Sequence, residues 1–232
     1  MCGRLNVIDD AGVQGLCEQL GIELWPETGM VEQRFIRATQ PVSIVRQKNG
    51  ITRMDNAIWW LLLEATESGF KPSKYTSFNT RYDKLNVPRS AGFIPFRQSR
   101  CIIPAKGFGE TEFINKKPLH YHDMIALEGE AIAFGGLYKE WVHKDTGEVT
   151  LSCSVITLPP HEKLQHIHTK AMPLMLPQHD ETIAMWLDPT VTDSRVSEPL
   201  LQPHIPQDLY AQQIDKPSTY RPVGERFLIH HD

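Results

Sequence analysis

RCIIPAKGFGETEF (residues 100–113) decides the fold, because it joins two strand-like runs through a single lysine. RCIIPA (100–105) is a short, nearly continuous apolar run of strand length, and GFGETEF (107–113) follows at once. The pattern continues through PLHYHDMIAL (118–127), AIAFGGLYKEWV (131–142) and VTLSCSVITL (149–158). Turn clusters such as Asn115-Lys116-Lys117 and Asp145-Thr146-Gly147 separate them. Strands at this spacing predict an α+β protein, mainly antiparallel sheet curled on itself into a barrel-like form, with a few peripheral helices.

Working outward, VSIVRQ (42–47) and ITRM (51–54) flank Lys48-Asn49-Gly50, and Asn-Gly is a strong hairpin signal. AIWWLLL (57–63) reads as a buried strand from its apolar run, and the polar stretch 64–78 reads as a loop. Asp9 and Asp10 can cap a helix whose apolar residues Val13, Leu16, Cys17 and Leu20 recur at helical spacing, with Gly21 ending it. A second helix is expected from Asp180, its cap, to Leu187, where Asp188-Pro189 stops it. The tail from Pro189, rich in Pro and Gln, is expected to drape over the sheet within a single domain spanning 1–232.

A net charge of −4 argues against a protein coated in positive charge. Between Asn79 and Lys106, however, six basic residues (Arg81, Lys84, Arg89, Arg97, Arg100, Lys106) face one acid, Asp83; alone this reads equally well as a solvated face. No apolar run approaches the roughly 20 residues needed to cross a bilayer, so no membrane partner is expected. The first residues lack the layout of a secretory signal, so Cys2, Cys17, Cys101 and Cys153 are expected to be reduced in a cytoplasmic protein. They form no CxxC pair, the His120/His122 and His166/His168 pairs suggest no third ligand, and neither metal nor cofactor is expected.

The chain opens MCGR (1–4), and Met before Cys is ordinarily trimmed, so Cys2 would carry a free amine beside its thiol. Both groups are partly nucleophilic near neutral pH. An amine that condenses with an aldehyde leaves an imine, to which the tethered thiol can add and close a five-membered thiazolidine. An N-terminal nucleophile hydrolase, the thiol attacking an amide and the amine serving as base, is the alternative, and MCG leaves the two open.

Beyond MCGR the chain carries FNTRYD (78–83), RCIIPAKGFGE (100–110), AFGGLYKEW (133–141) and IHTKAMPLML (167–176), in that order. With these motifs it resembles the SRAP (SOS-response-associated peptidase) family, most strongly over 2–190. The resemblance implies a curled β-sheet with peripheral helices, and a protein that binds single-stranded DNA at abasic sites and crosslinks to it through Cys2. It implies catalytic roles for Cys2, Asn79, Glu110 and His168. A carboxyl and an imidazole suit the proton transfers needed to open the sugar ring and expel water. Arg4, Arg81 and Arg89 are candidates for phosphate contacts, and Trp59 or Trp60 for stacking on bases. A monomer is expected, and a peptidase or a non-catalytic DNA-binding module are the other functions compatible with these residues. Some family positions differ: Trp59-Trp60-Leu61-Leu62-Leu63 stands for Trp-Gly-Leu and a following Pro, Gly109 and Thr111 replace aromatics around Glu110, and Thr169-Lys170-Ala171 lengthens the gap before Met172-Pro173.

Overall fold

The computed structural model describes residues 3–115 and 117–232; Cys2 lies outside them. In chain order the first elements are β1 (Arg4–Val7), α1 (Ala11–Gln19), β2 (Gln33–Arg37), β3 (Pro41–Lys48), β4 (Ile51–Ile58), β5 (Leu63–Ala65), β6 (Phe70–Pro72) and β7 (Asn79–Arg81). Then come α2 (Phe93–Gln98), β8 (Arg100–Ala105), β9 (Gly107–Ile114), β10 (Lys117–Ala126), β11 (Ile132–Val142), β12 (Val149–Leu158) and β13 (Met172–Pro173). The chain ends with α3 (Asp180–Leu187), α4 (Ser194–Ser197), β14 (Leu209–Ile214) and β15 (Phe227–Ile229).

The strands form a mixed α+β architecture with two main sheets. One has the order β11-β8-β3-β4-β12, and because β11 also pairs with β12 these five strands close into a barrel. The other runs β15-β14-β10-β9-β1-β2. RCIIPA is buried along its whole length as β8, as its apolar run predicts. Lys106 marks the step into the second sheet: it is 6% exposed, its Nζ donating to the Leu127 and Glu130 carbonyls at 2.8 Å and pairing with Asp10 at 2.8 Å. Phe108 of β9 meets Phe134 of β11 edge-on at 5.6 Å, so the two sheets share one apolar core.

The hairpin at Asn49-Gly50 forms as expected, both residues taking positive φ (56° and 79°) between β3 and β4. Helix α1 is capped by Asp10, whose side chain accepts from the Val13 N–H at 2.9 Å, and Gly21 (φ 60°) follows its end.

Four expectations are corrected. AIWWLLL is not one strand: β4 ends at Ile58, and Trp59 and Leu61 then alternate into the core (both 0% exposed) while Trp60 and Leu62 are half-buried. The stretch 64–78 holds the small hairpin of β5 and β6. His179, not Asp180, holds the N-cap position of α3, without a side-chain capping bond, and Asp180 lies inside the first turn, where a carboxylate favours the helix dipole. The tail does more than drape: β14 pairs with β10 from Tyr121↔Ile214 to Ala126↔Leu209, and β15 extends the sheet further.

Candidate active site

Strand alternation sends Phe108 and Glu110 inward and Gly109 and Thr111 outward, because successive residues of β9 face opposite sides. Glu110 is accordingly 2% exposed. His168 comes from the chain after the 3-10 turn Glu162–Leu164, and its N–H donates to the Leu164 carbonyl at 2.8 Å. Its neighbour Ile167 is 1% exposed, which anchors the segment and turns the imidazole inward at 7% exposure. The Nδ1 of His168 lies 3.7 Å from Oε2 of Glu110, in a small recess bounded by Phe108, Met124 and Leu164.

Burial governs both titrations. It raises the Glu110 carboxyl above the usual carboxylate range and pushes the His168 imidazole down to about 4, with Lys170 adding to the second effect. At neutral pH the recess therefore holds a neutral imidazole beside a carboxyl with increased affinity for a proton. That pairing suits proton donation and acceptance on a single substrate.

Ala171 lines both this recess and a neighbouring cleft of about 380 Å³, whose walls include Arg81, Tyr82, Thr157 and Lys170. Lys170 belongs to the lengthened Thr169-Lys170-Ala171 segment, which the sequence marks as a departure from the family pattern without marking Lys170 as a candidate contact. Asn79 is half-buried on β7, paired in parallel with Val155 of β12, two residues before Arg81. Arg81 is exposed and bonded to Asp83 through Nε and Nη2, both at 2.9 Å. Arg89 is exposed at φ 69°.

The six-cation stretch is thinner at the surface than its sequence suggests. Arg100 is 4% exposed and donates to the carbonyls of Trp186, Phe96, Val191 and Asp188, tying α2 to the end of α3. Like Lys106, it is a structural cation. Trp59 is likewise corrected as a stacking candidate: it is fully buried, its Nε1 donating to the Phe78 carbonyl at 2.8 Å. Trp60 is half-buried against Phe78, its Nε1 donating to the Ser73 carbonyl at 3.1 Å.

Arg4 is cross-strand partner to Gly109 and so lies on the face of β9 opposite the Glu110 carboxyl. Its Nη1 donates to Thr111 Oγ1 at 2.9 Å and its Nη2 to the Glu110 carbonyl at 3.0 Å. The guanidinium also sits 5.5 Å from the Phe35 ring and 5.6 Å from Tyr121. On this outer face Asp123 is buried, accepting from Arg34 Nη2 at 2.9 Å and the Tyr220 hydroxyl at 2.7 Å, and burial raises its carboxyl to about 7.

On the inner face, His122 is the cross-strand partner of Glu110 and His120 that of Glu112; His120 Nδ1 lies 3.0 Å from Glu112 Oε2. Among the described residues no group of three or more His, Cys, Asp or Glu is arranged to hold a metal ion, and no helix is long and apolar enough to cross a membrane.

The family model described as SOS response associated peptidase (SRAP) matches residues 1–217. The chain belongs to the SRAP family. It is 27% identical over 215 residues to the abasic site processing protein YoqW of Bacillus subtilis (strain 168), covering 92% of each chain. It is 27% identical over 150 residues to the abasic site processing protein HMCES of Xenopus tropicalis, covering 57% of this chain and 44% of that one. Among solved structures, a Bacteroides thetaiotaomicron protein superposes with a TM-score of 0.71 at 20% identity, covering 93% of both chains. A Bordetella bronchiseptica protein gives 0.68 at 14% identity, covering 93% of this chain and 100% of the other. These neighbours carry the same SRAP-like fold.

Proposed function

We propose that this protein processes abasic sites in single-stranded DNA and captures them covalently through Cys2 once Met1 is removed, by an aminopeptidase or by the chain's own peptidase chemistry. The observation that carries the proposal is the buried Glu110–His168 pair, 3.7 Å apart, on the strand that pairs with the start of the chain. Cys2 is two residues from Arg4, so the backbone tether keeps it within about 7 Å of that residue. Arg4 is the cross-strand partner of Gly109, immediately before Glu110.

An open abasic sugar presents an aldehyde. Attack by the Cys2 amine gives a carbinolamine, whose hydroxyl leaves as water when Glu110 supplies a proton, while neutral His168 accepts the proton that the nitrogen sheds. The Cys2 thiol then adds to the imine carbon; its sulfur bonds to carbon, its proton ends on nitrogen, and a thiazolidine closes with one water released overall. Asn79 holds the sugar or the amine by hydrogen bonds. Arg81, Arg89 and Lys170 contact phosphates without reading bases, as a lesion sensor requires. Arg4, engaged on the outer face, holds the leading segment in place. We place the protein in the cytoplasm as a monomer.

The test is incubation with an abasic single-stranded oligonucleotide followed by a denaturing gel. The purified protein should give a shifted band whose yield falls with added salt. Cys2→Ala should leave only a species that borohydride traps, because an amine without a thiol stops at the imine. Absence of any band at low salt, with intact mass confirming an exposed Cys2, refutes the proposal.

A further inference from the structure

At the far end of β1 from Glu110 a separate concavity opens. It has a volume of about 530 Å³ and lies between α1 and residues 22–32. Its floor is apolar: Val13 and Cys17 of α1, with Ile8, Ile22 and Met30. Trp25 stands on its wall with 51% of its surface exposed, next to Leu24 at 45%. The wall is built rather than loose. The Glu23 N–H donates to the Thr52 carbonyl and the Met54 N–H to the Leu24 carbonyl, both at 2.9 Å, which fastens the segment to β4. The Val31 N–H donates to Ser43 Oγ at 2.8 Å.

The charged residues around it are all acids. Asp9, Glu18 and Glu32 line the groove, and among the described residues no Lys, Arg or His does. The sequence explains this, since residues 5–33 contain six acids (Asp9, Asp10, Glu18, Glu23, Glu27, Glu32) and not one Lys, Arg or His. Of these, Asp10 is paired with Lys106. A phosphate backbone is repelled from such a surface, so the occupant is not nucleic acid. Desolvated apolar floor inside, carboxylates outside and an exposed indole on the wall complement an apolar side chain flanked by cations, with the indole face open to cation–π contact.

We propose that this groove docks a basic segment of a partner protein, one bulky apolar side chain seated on the Val13–Cys17 floor and lysines or arginines against Glu18 and Glu32. The site is independent of the chemistry at Glu110: four residues of extended chain, about 13 Å, separate Arg4 from Ile8.

The probes are three short dye-labelled peptides: a Phe flanked by lysines, the same peptide with Phe replaced by Ala, and its glutamate counterpart. Fluorescence anisotropy should detect the first and show the other two weaker by at least about tenfold, a difference of about 1.4 kcal/mol. A Glu18→Lys/Glu32→Lys variant, and separately Trp25→Ala, should each lower binding of the first peptide by a similar factor. Amide shifts in a two-dimensional nitrogen–proton spectrum should cluster in α1 and residues 22–32, and the same spectrum confirms that the variants fold. Equal binding of the Phe and Ala peptides, unchanged binding in the charge-reversed variant, or shifts elsewhere overturns the proposal. So does self-association of the wild type that the same variants abolish, since a second copy would then be the occupant. Crosslinking to abasic DNA should be unchanged in all these variants, so failure here is distinguishable from failure of the proposed function.

Discussion

Gly109→Ala tests whether the outer face of β9 is built around Arg4. A β-carbon at this position falls 2.5 Å from Arg4 Nε, 2.8 Å from Nη2 and 3.0 Å from Cζ, so the guanidinium must leave its seat. Leaving breaks the bonds to Thr111 and to the Glu110 carbonyl. Hydrogen bonds from a charged donor contribute about 1.5–3 kcal/mol each, and the half-buried guanidinium recovers water on leaving, so the low end applies. Replacing Gly in a strand returns about 0.5–1 kcal/mol. The net loss is about 2 kcal/mol, or about 4–8 °C in Tm for a chain of this size. The assay is a double-mutant cycle with Arg4→Ala, followed by urea and thermal unfolding. In the Arg4→Ala background Gly109→Ala should stabilise by about 0.5–1 kcal/mol, giving a coupling energy of about 3 kcal/mol. Equal costs in both backgrounds, within about 0.5 kcal/mol, would refute the reasoning.

Burial holds the Asp123 carboxyl at about 7, so the folded state binds that proton more tightly than the unfolded chain does; its contribution is fully present at low pH and is lost as pH rises from about 4 to about 7. Asp123→Asn should therefore gain on wild type across that window, by up to about 1.4 kcal/mol per pH unit, and parallel pH profiles of the urea midpoints would contradict this. His168 behaves oppositely: with its folded value lowered to about 4, stability falls as pH drops from about 6.5 toward 4, and His168→Gln should flatten that limb. Within α1 two glycines should part ways in thermal melts. Gly15→Ala meets nothing within 4 Å and should gain about 0.5–1 kcal/mol. Gly12→Ala would place a β-carbon 2.2 Å from the Glu130 carbonyl oxygen and should lose about 1–3 kcal/mol.

The strands were legible wherever a run of one periodicity met an unambiguous turn. Asn49-Gly50 fixed β3 and β4, and RCIIPA fixed β8. AIWWLLL misled because an apolar run is compatible with a fully buried strand and equally with irregular chain whose alternate residues enter the core; Trp59 and Leu61 take the second course. The tail misled because β14, LYAQQI, carries polar residues where its sheet faces solvent, and only its partner β10 makes it a strand. The barrel-like curl was legible in the strand spacing, and β11 and β12 pair as neighbours across the Asp145-Thr146-Gly147 turn, but the strand order that closes the barrel was not, since it depends on β3 meeting β8 and β12 meeting β4 across long stretches of chain.

The site shows the same division between local and nonlocal information. The motifs named Glu110 and His168, and the fold brings them together, but no spacing between positions 110 and 168 states that distance. The cations were overcounted because sequence reports charge and not burial: Arg100 and Lys106 serve buried carbonyls. The sidedness of β9 accounts for two of the positions where the sequence departs from the SRAP pattern. Gly109 and Thr111, standing where aromatics are usual, share the outer face with Arg4, Tyr121 and Asp123. Phe108, Glu110 and His122 share the inner one. The departures beside Glu110 in sequence are therefore on the opposite side of the sheet in space. Gly109 makes room for the Arg4 guanidinium and Thr111 receives its hydrogen bond, so the two changes are halves of a single packing arrangement. An aromatic at position 109 would meet the Arg4 guanidinium where it now lies. Restoring aromatics there without altering Arg4 would thus disturb the start of β1 while leaving the Glu110–His168 recess on the other face intact.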